Sequence, residues 1–199
     1  MTKGKTMFYN FNEFLKQKNI DTTTIEKYIK DDLQQKKIET GHLRNKKADQ
    51  QLQEIILPTV SSYYALLNSG IGQEQAVLHI QEYVLDYYKK LANLYKTFGR
   101  LPNFFFFFRK AFPTAMKLYP TEHWHTQWIK NDKEGIFFDM TSCLYYDTFY
   151  KYKCEKLTTI FCGVDDFCYG NMSKQLSFVR TKTIGRGNEC CDFKFIKVK

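Results

Sequence analysis

The sequence predicts an α+β fold, a helical N-terminal half packed on a small antiparallel sheet formed by the C-terminal half. Apolar residues recur at three-four spacing up to about residue 120, whereas after His123 they alternate in short runs. Two turn-like clusters, "NDKEG" and "GRGNE", each separate a pair of alternating runs, and helices followed by antiparallel strands make an α+β domain. With 199 residues and no internal repeat, the chain reads as a single domain over 1–199. Its helical part covers about 1–120 and its α+β part about 121–199.

In chain order, "DTTTIEKYIKDDLQQKK" opens with Thr23 and, three residues on, Glu26, a capping-box pattern followed by Ile25, Tyr28, Ile29 and Leu33 at helical spacing. A second helical pattern runs from about Ala48 to Asn68, and Pro58 is expected to kink or divide it. The clearest helix is "QEQAVLHIQEYVLDYYKKLANLYKTFG", with Gly99 as its expected C-cap. His79 lies among apolar neighbours inside it and reads as a structural histidine. The run Phe104–Phe108 is expected to be a core-facing helix or loop. "HWHTQWIKNDKEGIFFDM" reads as a hairpin, "CLYYDTFYKYKC" as a helix, and "LSFVRTKTI" with "CCDFKFIKV" as a second hairpin turning on Gly185 and Gly187.

Composition narrows the function. A 43% apolar and 17% aromatic chain is a folded globule. The net charge of +9 comes mostly from lysines that acidic and amide residues interrupt, as on a solvated helical face. No zinc-finger spacing or RNA-binding aromatic signature accompanies it, so nucleic acid is not the expected partner. The longest apolar run falls far short of the ~20 residues a membrane helix needs. "MTKGKTMFYNFNEFLK" lacks the apolar stretch and cleavage site of an export signal. Six cysteines without such a signal read as free thiols of a reducing compartment, which places the protein in the cytoplasm. A homo-oligomer is compatible with all of this.

The chemistry-bearing residues concentrate near the end of the chain. Cys190 and Cys191 are adjacent, Cys162 and Cys168 stand six apart, and "EHWH" is not a zinc-peptidase motif, so no metal site and no cofactor is expected. Asp165 and Asp166 are candidates for a general base or water-positioning group, with loop capping as the plain alternative. Arg180 shares an alternating run with Phe178 and, pointing inward, needs a partner: Asp192 on the adjoining strand or a substrate carboxylate. Cys143, Cys162 and Cys191 sit among apolar residues, where an inert buried thiol is usual.

The stretch "FVRTKTIGRGNECCDFKF" resembles the C-terminal signature of the L-2-amino-thiazoline-4-carboxylic acid hydrolase family. The matching positions are Arg180, Thr181, Thr183, Gly187, Cys191, Asp192 and Phe193. Upstream, "CLYY" and "EKLTTIFCGVDD" also look like the family, matching at Cys143, Cys162, Asp165 and Asp166. The likeness covers about Cys143 to Phe195. Gly185 with Arg186 and the extra Cys190 depart from the pattern.

The resemblance implies a hydrolase that opens a cyclic amidine-like thiazoline ring by adding water at the C=N carbon, on a small substrate that carries a carboxylate. In that casting Cys162, Asp165, Asp166, Cys191 and Asp192 are the catalytic set, and Arg180, Thr183 and Cys143 bind substrate. Arg180 takes the carboxylate, Asp165 or Asp166 activates water, Asp192 orients Arg180, and Thr183 donates a hydrogen bond. Cys162 or Cys191 could instead attack covalently. Altered chemistry on a larger heterocyclic natural-product intermediate, and a non-catalytic small-molecule binder, are the rival readings.

Overall fold

The computed structural model describes residues 6–198; residues 1–5, the start of the stretch read above for an export signal, lie outside the described residues. Helices α1 (Phe11–Lys16), α2 (Thr23–Thr40), α3 (Lys46–Gln51), α4 (Leu57–Asn68), α5 (Gln73–Phe98) and α6 (Phe104–Ala115) fill the N-terminal half. After strands β1 (Thr126–Asn131) and β2 (Gly135–Met140) come α7 (Leu144–Lys151) and α8 (Thr158–Tyr169), then β3 (Leu176–Val179) and β4 (Cys191–Lys197). The four strands form one antiparallel sheet in the order β1-β2-β4-β3. The helical first half and antiparallel C-terminal sheet are the α+β class that the two periodicities predict.

The chain forms two compact units, residues up to 87 with 148–157, and 88–147 with 158–198. In the first, Phe11, Leu15, Ile25, Leu52, Ile56, Leu66 and Ile80 are almost wholly buried. The expected capping box of α2 does not form. Asp21 accepts from the Thr23 N–H and hydroxyl instead, because an aspartate two residues ahead of the first turn reaches its free N–H groups. Before Pro58 the helix passes through one π turn, Leu52–Ile56, which accommodates the missing N–H without breaking the run. His79 is buried, with its Nε2 3.2 Å from the Gln75 amide.

The second unit is built on the sheet. Ile136, Phe138 and Met140 of β2 lie opposite Phe195, Phe193 and Cys191 of β4, and all six point to the buried face. Phe138 and Phe193 stack with centroids 4.8 Å apart, and Phe112 of α6 packs on Phe195 at 4.9 Å. The phenylalanine run is therefore helical and two-faced: Phe104 and Phe105 are buried, Phe106 and Phe107 exposed.

Gly99 does follow α5, but its φ is not the left-handed one a cap requires. It is small because the Met172 carbonyl approaches so closely that an added Cβ would lie 1.8 Å from it. The β3–β4 connection is also not a tight hairpin. It runs from 180 to 190 and contains a short 3-10 turn, Ile184–Arg186, which Gly187 ends at φ +84°.

Candidate functional site

The site follows from two periodicities meeting. On α8, Thr158, Phe161, Cys162, Asp165, Cys168 and Tyr169 recur at three-four spacing and line one cavity. On β4, Cys191, Phe193 and Phe195 line the same cavity from the sheet. Arg180, two residues beyond Phe178, enters on that side too. The cavity measures about 140 Å³, and Tyr88, Leu91 and Tyr95 from the second half of α5 line it too.

Asp165 and Asp166, for which loop capping was the plain alternative, lie within helix α8. Val164 and Cys168 bury its inner side, and Asp165 shares the three-four stripe that faces the cavity. Arg180, with a side chain only 2% exposed, donates from Nη1 to Asp165 at 2.7 Å. Its Nη2 donates to Asp166 at 3.0 Å and to the Cys162 carbonyl at 2.7 Å. The Phe178 and Phe193 rings lie 5.7 and 5.1 Å from the guanidinium carbon.

The expected Arg180–Asp192 pair is thus corrected, for a reason of strand alternation. Asp192 sits between the inward Cys191 and Phe193, so it faces the other side of the sheet, where it accepts from the Thr181 N–H and hydroxyl, the Lys182 N–H and Lys194 Nζ. Burial works against its charge, but these donors outweigh it and hold the carboxyl far below the usual range.

Asp165 behaves oppositely. Burial pushes its carboxyl up to about 6, and Arg180 only partly offsets this. Protein surrounds the group, yet 31% of its side-chain surface stays open. A carboxyl of this kind can gain or lose a proton near neutral pH.

Cys143, Cys162 and Cys191 all line the cavity. Burial pushes Cys143 up to about 12 and Cys191 up to about 11, and raises Cys162 against the pull of Arg180. As thiols they are protonated at neutral pH and weak nucleophiles. Thr183 is buried and lies outside the cavity lining, with its side chain beside the Cys162 thiol. Gly185 brings the 3-10 turn against α8, since an added Cβ would lie 2.9 Å from Thr158 Cγ2 and 3.2 Å from Cys162 Sγ.

Of the residues singled out in the sequence, Cys143, Cys162, Asp165, Arg180 and Cys191 therefore converge. Asp166 lies on the outer flank, and Asp192 across the sheet. The aromatic walls were missed: Tyr88, Tyr95, Tyr119, Trp124, Tyr145 and Tyr169 all line the cavity. Tyr88 and Tyr95 stand seven apart on one helical stripe, which reads equally as core. Among the described residues no three His, Cys, Asp or Glu side chains stand together as a metal site, and no helix is long and apolar enough to cross a membrane.

The geometry is thus a tuned carboxyl paired with a guanidinium, at one wall of an aromatic cavity on an α+β scaffold. Residues 51–195 match the family model described as L-2-amino-thiazoline-4-carboxylic acid hydrolase, and the chain belongs to that family. No curated protein and no solved structure matches it.

Proposed function

We propose that this family member is a hydrolase that opens a small thiazoline-type cyclic amidine by adding water at the carbon between nitrogen and sulfur. The observation that carries the reading is Asp165, a carboxyl facing the cavity and raised to about 6. Above that pH its carboxylate takes a proton from water as the oxygen attacks the ring carbon. The C=N electron pair moves to the ring nitrogen, which takes a proton from solvent. When the tetrahedral intermediate collapses, its hydroxyl gives a proton back to solvent as the C=O forms, the C–S bond breaks, and Asp165 passes its proton to the departing sulfur. One water is consumed, and the product carries a free thiol and a urea group.

Arg180 is the positioning residue, holding Asp165 on the cavity wall while Asp166 anchors the guanidinium from outside. Water is favoured over a cysteine as nucleophile because burial keeps all three cavity thiols protonated. A cavity of about 140 Å³ suits a single small ring better than a large natural-product intermediate. The convergence of Asp165, Arg180 and the thiols on one cavity favours catalysis over passive binding.

The test is to incubate the protein with 2-amino-2-thiazoline and with its L-4-carboxylate and follow the gain of one water by mass spectrometry. Turnover of either is expected, with Asp165→Asn slower by about 10²- to 10⁴-fold. Cys162→Ser and Cys191→Ser should keep near-normal rates. Loss of turnover in one of these serine variants would replace the water route by a covalent one, and no turnover of either ring would refute the hydrolase reading.

A further inference from the structure

A second cavity adjoins the one that holds Asp165. It measures about 190 Å³ and is walled by Tyr95 and Phe98 of α5, by Phe108, Ala111 and Ala115 of α6, and by Met172 just after α8. Among the described residues that line it, none carries a charge. Tyr95, Phe112 and Tyr169 line both cavities, so the thickness of these side chains is what separates them. Tyr95 and Tyr169 stack with centroids 5.7 Å apart, and Phe195 of β4 touches Tyr169 at 5.2 Å and Phe112 at 4.9 Å.

Small residues keep this second space open. Ala111 and Ala115 stand four apart on α6, on the stripe that continues Phe104 and Phe108, and both are exposed. On the α5 side, Phe98 is 51% exposed. An aromatic groove facing water is unfavourable until something apolar fills it. Its direction follows from α8: Asp165 and Tyr169 lie four residues apart, about 6 Å along the helix, so the groove begins one turn beyond the reacting carboxyl.

We propose that the second cavity takes an uncharged apolar arm of the substrate, a short alkyl chain or a phenyl ring, while the ring that is opened sits at Asp165. The arm runs toward the C-terminal end of α8, past Tyr169 and Phe112, and a four-carbon chain spans the intervening helical turn. It leaves the ring at carbon 5, because carbon 4 bears the carboxylate in the compound that names the family. The arm therefore adds to that substrate pattern and displaces no part of it. Filling the groove removes apolar surface of both partners from water, which is the source of the selectivity. The proposal rests on the hydrolase reading for the ring and its place at Asp165, and on the groove alone for the arm.

The experiment is calorimetric titration of the full chain carrying Asp165→Asn, so that a bound ring is not consumed during the measurement. Two pairs of probes are compared: 2-amino-2-thiazoline with its 5-butyl derivative, and the L-4-carboxylate with its 5-butyl derivative. Charge is the same within each pair, so the affinity ratio reads the arm. The butyl compound should bind about tenfold or more tighter than its parent. Adding Ala111→Leu or Ala115→Leu, each of which fills the groove from an exposed position on α6, should bring that ratio to within about twofold of one.

Equal affinity within the pairs, a ratio that both leucine variants leave untouched, or no binding of any probe would overturn the proposal. Turnover by the unaltered chain is followed separately. A butyl preference that the leucine variants abolish, with no ring opened, would sink the hydrolase reading and leave the apolar arm standing. Ring opening of the parents with no advantage for the butyl compounds would do the reverse.

Discussion

Replacing Arg180 by Met keeps most of the side-chain length and removes the charge, so it isolates what the guanidinium does. The Arg180 side chain is 2% exposed and donates to Asp165, Asp166 and the Cys162 carbonyl at 2.7, 3.0 and 2.7 Å. Removing one partner of a buried ion pair strands the other and costs about 3–5 kcal/mol. Asp165 keeps partial access to the cavity and can take up a proton, which puts the loss at the lower end, about 3 kcal/mol near pH 8. For a domain of this size that is a Tm decrease of about 6–12 °C.

The pH dependence gives the sharper check. Asp165 is raised to about 6, so its proton favours the folded state, and losing Arg180 raises it further. The destabilisation should therefore shrink at about pH 5, where Asp165 is largely neutral in both proteins. Adding Asp165→Asn to the variant should restore roughly 1 kcal/mol or more. Urea unfolding of the three proteins at both pH values would measure this. A loss that is the same at both pH values, or below about 1 kcal/mol, would refute the claim that the pair is a coupled buried unit.

Further expectations follow from the same contacts. The pH–rate profile for ring opening should fall as pH drops through about 6, because the base form of Asp165 is lost there; a profile flat to pH 5 would remove Asp165 as the base. Asp192→Ala should destabilise the protein by about 2–3 kcal/mol, since the carboxylate holds four donors. Because that carboxyl is depressed, its contribution is present above the unfolded value near 4 and disappears as pH falls below it, so acid melts should show the variant's deficit narrowing. Gly185→Ala should lower ring-opening rates by displacing the 3-10 turn from α8, with circular dichroism unchanged; an unaltered rate would mean that Thr158 and Cys162 yield without consequence.

Much of the architecture was legible because it depends on local period. The three-four rhythm of α5 and the alternation in β2 and β4 follow from which side of each element is buried, a property a sequence carries residue by residue. The alternation that places Phe178 on the buried face also carried Arg180 to the cavity. The same rule puts Asp192 on the far side of the sheet from it, so the Arg180–Asp192 pairing was avoidable once Cys191 and Phe193 were both read as inward.

Other features were decided only in three dimensions. Gly99 and Gly185 look like turn residues, and their requirement for a missing side chain comes from Met172, Thr158 and Cys162, which are distant in sequence. Asp165 looks like its neighbour Asp166, yet one shares the cavity stripe of α8 and is raised to about 6 while the other is exposed. Burial is a property of everything packed around a group. The chain order therefore determined which residue types were available, and the meeting of α8, the end of α5 and the inner face of the sheet decided which became a site.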